Sequence, residues 1–122
     1  MQGVKFTGKI ETRVEYNLES IEGGVIILNK TPPNKVEREL LAKYKGVDFH
    51  TDFAKGSEFW IETIAKSILD WNFIWEDEKK IELTEENILM VLNTLPRADI
   101  TGMTEIVTGK KIDITALQIK KD

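Results

Sequence analysis

Residues 4 to 16 alternate between apolar and polar positions: Val4, Phe6, Ile10, Val14 and Tyr16 fall on one side, Lys5, Thr7, Lys9, Glu11, Arg13 and Glu15 on the other. A period of two is the mark of a half-buried strand. Gly8 interrupts the apolar side and predicts a bend or bulge. Glu22-Gly23-Gly24 signals a turn, and Val25 to Leu28 form an apolar run without alternation, which predicts a second strand covered on both faces. Together they predict an antiparallel pair, which needs a third strand or a helix against its apolar face to be stable.

The period changes after Thr31-Pro32-Pro33, because proline cannot continue a ladder. Asn34, with Glu37 three positions on, makes a weak capping box ahead of the stripe Val36, Leu40, Leu41 and Tyr44, and Gly46 suits its end. Residues 47 to 56 read as a loop, after which Ser57 is placed to cap a helix with Trp60, Ile64, Ala65, Ile68 and Trp71 inward. Two readings then stay open. The apolar run to Trp75, the polar turn Glu76-Asp77-Glu78-Lys79-Lys80 and the pair Ile81 and Leu83 suggest a short hairpin near 73 to 83, although the turn holds no glycine. The spacing of Trp60, Ile64, Ile68, Trp71 and Trp75 instead suits one continuous helix.

Thr84 is placed to cap the next helix, with Glu85 and Glu86 in its electropositive first turn, Ile88, Leu89, Val91, Leu92 and Leu95 on its buried face, and Pro96 as its stop. Asp99 is placed to cap a last helix carrying Ile100, Met103, Ile106 and Val107, closed by Gly109; Gly102 inside it costs about 1 kcal/mol relative to Ala. The segment KKIDITALQIKKD alternates at Ile112 and Ile114 and again at Leu117 and Ile119, with a phase slip between, and reads equally as a strand, a bound arm or a frayed end. The expected fold class is α+β: one domain over 1–122, β-rich over 1–30, helical over 34–109, with a C-terminal arm at 110–122.

At 122 residues the chain is long enough to bury a modest core, and 41% hydrophobic with 31% charged residues is ordinary for a globular domain. There is no Cys, which removes disulfides, thiolate metal sites and Cys nucleophiles. No apolar run approaches the roughly 20 residues of a membrane span, and MQGVKFTGK lacks the apolar core of a signal peptide, so a cytoplasmic protein with no membrane association is expected. Net charge is −4, and only three of the 17 basic residues are Arg, which disfavours a nucleic-acid partner.

Catalytic constellations are sparse. The single His, His50, lies in Val47-Asp48-Phe49-His50-Thr51-Asp52, where two carboxylates could orient an imidazole, but it has no second His or Cys for a metal. Glu76-Asp77-Glu78 and Glu85-Glu86 lack the alternate ligand spacing of a calcium loop, and Gly23-Gly24 precedes a strand rather than the helix a phosphate cradle requires. No enzyme activity, cofactor or metal is expected. The three Trp fall within 16 residues, and Trp is both a core anchor and a binding hot spot. Two of the three are expected in the core, with Trp75, ahead of three acidic residues, partly exposed.

The order around Asp70 to Pro96, namely a helix ending in Trp71-Asn72, an acidic turn, a helix opening Leu83-Thr84-Glu85-Glu86-Asn87 and a Leu95-Pro96 stop, resembles small tail assembly chaperones of long-tailed bacteriophages. The resemblance covers roughly residues 57 to 109 and departs from the family pattern at the glycine-free turn. It implies a non-enzymatic protein of the host bacterial cytoplasm that binds the tape measure protein and helps to recruit tail tube subunits. Its partner surface is expected near Trp75, Leu89 and Leu92. The alternative is a structural tail or connector subunit retained in the virion; an apolar surface edged with charge suits a chaperone and a homo-oligomer subunit alike.

Overall fold

In the computed structural model, which describes residues 2–109, strand β1 (Arg13–Asn17) pairs antiparallel with β2 (Val25–Asn29), Arg13 opposite Asn29 and Tyr16 opposite Ile26. The strand expected over residues 4 to 16 is therefore realised only at its end. The ladder stops where the opposing chain leaves it: Lys30 donates its N–H to the Thr12 carbonyl, and Pro32 and Pro33 then turn the backbone away. Among the described residues no strand lies against residues 2 to 11, and Val4, Phe6 and Ile10 are 95%, 77% and 63% exposed.

Helix α1 (Asn34–Lys43) starts after Pro33, and Asn34 does not cap it, since no side chain bonds its first amides. Helix α2 (Phe53–Ala65) starts four residues before Ser57; Asp52 supplies the cap by accepting the Lys55 N–H at 3.1 Å, so the last four residues of the expected loop are helical. The helix does not run on through Trp71. Ile68–Trp71 is a third strand, β3, antiparallel to β2 with Ile26 opposite Trp71, and the sheet order is β1-β2-β3. β structure is thus not confined to residues 1 to 30. Ser67 makes the switch: its hydroxyl closes α2 on the Thr63 carbonyl, and its own carbonyl accepts the Asn29 N–H at 2.7 Å, delivering the chain to the open edge of β2.

Helix α3 (Glu85–Thr94) begins as expected, Thr84 Oγ accepting the Asn87 N–H at 3.1 Å with Glu85 and Glu86 in the first turn. Thr84→Ala should cost about 1 kcal/mol, read as a lowered urea midpoint at unchanged m-value. Helix α4 (Arg97–Thr108) begins at Pro96 and is closed by Gly109. Asp99 does not cap it. Fully buried, its carboxylate leaves the helix and accepts from the Tyr16 hydroxyl and the Glu19 N–H, both at 2.8 Å, and from Ser20 Oγ. This latch ties α4 to β1 and to the turn that follows it. Gly102 belongs to the same arrangement, because a Cβ there would stand 2.7 Å from the Tyr16 ring.

α2 packs on α3 and α4, and α4 crosses β1 and β2. The shared core holds Ile26 and Leu28 of β2, Ile64 of α2, Trp71 of β3, Leu92 of α3 and Met103 and Val107 of α4. α1 is held more peripherally, through Leu40 and an aromatic chain in which Tyr44 meets Phe59 at 5.5 Å and Phe59 meets Phe49 and Trp60 at 5.2 Å. No helix of the described residues is long and apolar enough to cross a membrane. The segment 110–122, read above as an arm, lies outside the described residues.

Candidate functional site

The chain after β3 forms the short hairpin, and the rival continuous helix is absent. Ile74 bridges Lys80; the Trp75 N–H donates to the Lys79 carbonyl at 2.8 Å, and the Glu78 N–H to the Trp75 carbonyl at 2.9 Å. The glycine missing from the turn is replaced by Glu78, which takes a φ of 69° itself, an uncommon conformation for a side-chain-bearing residue. Asp77 steadies the turn by accepting the Lys79 N–H. At its base the hairpin is tied into the core: Ile81 donates its N–H to the Phe73 carbonyl, Trp71 Nε1 donates to the Ile81 carbonyl at 2.7 Å, and the Phe73 and Trp71 rings meet at 5.4 Å. Lys80 Nζ reaches Asp70 at 2.6 Å. That ammonium, followed by the Trp71 N–H, holds the Asp70 carboxyl below its ordinary value.

This rigid base presents two large apolar residues to solvent. Ile74 is 57% and Trp75 42% exposed. Successive residues of one arm of the hairpin, they flank the acidic turn Glu76-Asp77-Glu78 with apolar surface. Trp75 thus stands where the sequence suggested. Trp71 is buried and Trp60 half-buried.

The two leucines expected beside Trp75 are placed differently. Leu92 is 1% exposed and belongs to the core, out of reach of a partner. Leu89, half-buried on the same helix, lines a groove of about 380 Å³ between α1, α2 and α3, with Val36, Leu40, Ala65 and Ile88 as apolar walls and the Lys43–Glu62 ion pair beside them. The structure therefore separates the expected surface into the hairpin tip and the α3 groove. Sequence reasoning missed Ile74, although its place beside Trp75 was a sufficient signal. It also missed Met90, exposed on the outer side of α3, away from the apolar stripe that periodicity marks.

His50 is exposed, and the carboxylates that flank it are engaged by backbone, Asp48 by the His50 N–H at 2.9 Å and Asp52 by the start of α2. Its ring stands at a second groove, of about 360 Å³, with Phe49, Phe53, Trp60, Arg97 and Ile100. Among the described residues no three His, Cys, Asp or Glu side chains are grouped so as to hold a metal ion. No family model, curated protein or solved structure matches the chain.

Proposed function

We propose that this chain is a non-enzymatic protein-binding module that holds an amphipathic helical segment of its partner, in the manner of a phage tail assembly chaperone. The observation that carries the reading is the display of Ile74 and Trp75 on a hairpin held by backbone bonds at its turn and by Trp71 Nε1 at its base. A rigid aromatic anchor loses little conformational entropy on binding, and exposed Trp beside a charged rim is the composition of a binding hot spot. The acidic turn selects a partner helix with Lys or Arg flanking its apolar stripe, and the groove at Leu89 offers a second seat for apolar side chains. In the setting the resemblance implies, that partner is the tape measure protein in the host cytoplasm, released to the tail tube subunits as the tail is built.

Co-expression tests this. A tape measure protein that is insoluble alone should become soluble with this chain, and Trp75→Ala should weaken the complex by about 30-fold, as loss of a central Trp anchor does, while leaving the thermal midpoint in place. A tape measure protein that gains nothing, together with recovery of this chain from finished tails, would establish the retained structural subunit instead.

A further inference from the structure

We propose that two copies of this chain pair through residues 4 to 16, the exposed N-terminal arm of each lying antiparallel along the outer edge of β1 of the other, with Ile10 on the two-fold axis.

Among the described residues no strand pairs with the outer edge of β1, and the polarity of that edge is fixed. β1 is an outer strand of the sheet, and the bonds from Lys30 N–H to the Thr12 carbonyl and from Leu18 N–H to the Gly24 carbonyl show that even-numbered residues bond inward to β2. The N–H and C=O groups of Arg13 and Glu15 consequently point outward, as a strand edge able to accept another strand. The arm that precedes it carries apolar side chains at the even positions Val4, Phe6 and Ile10, which no other described residue covers.

The occupant is read from the sequence around Ile10. In an antiparallel pair centred there, Lys9 faces Glu11 of the second copy, Lys5 faces Glu15, and Thr7 faces Arg13, all at hydrogen-bonded positions on the outward edge. The intervening positions match as well: Phe6 faces Val14, Val4 faces Tyr16, and Ile10 faces its own equivalent. Val14 and Tyr16 lie opposite Leu28 and Ile26, on the face of the sheet that α4 crosses, so Phe6 and Val4 of the second copy extend that covered face. Moving the register by two residues either way brings Lys9 onto Lys9 or Glu11 onto Glu11 and sets a Lys against Arg13. One register satisfies charge, apolar matching and hydrogen-bond direction together, and its neighbours fail on charge. In the single chain Lys9 and Arg13 both pair with Glu11, at 3.0 and 2.9 Å, and Gly8 at a φ of 81° bends the arm; pairing straightens it at that residue, where glycine moves at least cost.

Light scattering across a size-exclusion peak should give twice the 14.0 kDa of one chain. The double variants Lys5→Glu with Lys9→Glu, and Glu11→Lys with Glu15→Lys, place like charges at all four cross-strand pairs, and each alone should dimerise about 100-fold more weakly. Mixed, they restore opposite charges at every pair and should run as a heterodimer. Because the chain has no Cys, Ile10→Cys gives an independent reading. Its symmetric, non-hydrogen-bonded position brings the two Cα atoms to about 4.5 Å, within disulfide range, so oxidation should yield a covalent dimer, and Ile21→Cys, exposed elsewhere, should not. A single-chain mass for the wild type at its highest soluble concentration, an unmixed variant as dimeric as wild type, a mixture that stays monomeric, or Ile10→Cys that fails to cross-link would each overturn the proposal.

Discussion

Asp99→Ala should destabilise the protein by about 3 kcal/mol, measured as a lowered urea midpoint, a large effect for a single carboxylate. The substitution removes the one acceptor shared by the Tyr16 hydroxyl, the Glu19 N–H and Ser20 Oγ. Leaving buried donors without an acceptor costs more than a hydrogen bond contributes when it is made, and the exposure of Glu19 and Ser20 keeps the total below three full penalties. Asn in its place keeps the volume but offers one acceptor oxygen and turns an N–H₂ group toward donors, so Asp99→Asn should recover little. The same site sets an acid limb. Burial by itself pushes the Asp99 carboxyl upward; the bonds from Ser20, the Glu19 N–H and Tyr16 outweigh it and hold the carboxyl below its ordinary value. A carboxyl depressed on folding contributes stability that is complete above its unfolded pKa of about 3.9 and is lost as pH falls through the folded value. Stability should therefore fall below about pH 4 in the wild type, and the Asp99→Ala variant should show a shallower fall.

Leu92→Ala should cost about 2 to 5 kcal/mol in the same measurement. Leu92 sits where α3 meets the core shared by Ile64, Trp71, Ile81 and Met103, and that core is built from five different elements and a hairpin that brace one another. Such a site collapses poorly around a lost side chain, which places the expected value in the upper half of that range. The result also separates core from surface on α3. Leu92→Ala should weaken partner binding only as far as it unfolds the chain, whereas Trp75→Ala should do the reverse.

Periodicity located the helices because each buries one stripe, and Thr84, Pro96 and Gly109 marked their ends with chemistry that acts locally. Where the sequence misled, the deciding partner was distant. Ile68 to Trp71 continue a helical spacing, but the open edge of β2, some 40 residues earlier, offers backbone bonds along a strand, and tertiary pairing overrides local pattern. Val4 to Ile10 alternate as cleanly as Val14 to Tyr16, yet no strand among the described residues reaches them. Asp99 has the composition and position of a cap, and only the fold reveals that its acceptors serve residues of the first strand and turn. The candidate surface was legible at Trp75, where acidic neighbours argued against burial, and illegible at Leu92, because apolar periodicity names a buried face without saying which of its members a partner could reach.

The Asp99 latch also has a bearing on the order in which the chain can acquire its structure. Its bonds to Tyr16, Glu19 and Ser20 join residues 79 to 83 positions apart, and β3 joins the sheet from far downstream of β1 and β2. During synthesis the first hairpin emerges long before either support exists, and a lone two-stranded ribbon is marginal in water. Strand β1 and its arm must then wait, unpaired, through the time a ribosome takes to add about 80 residues, some seconds at ordinary rates. Contacts this distant slow folding and join β1, β2 and α4 into one cooperative event, so the newborn chain is at its most adhesive through β1 and the residues just before it.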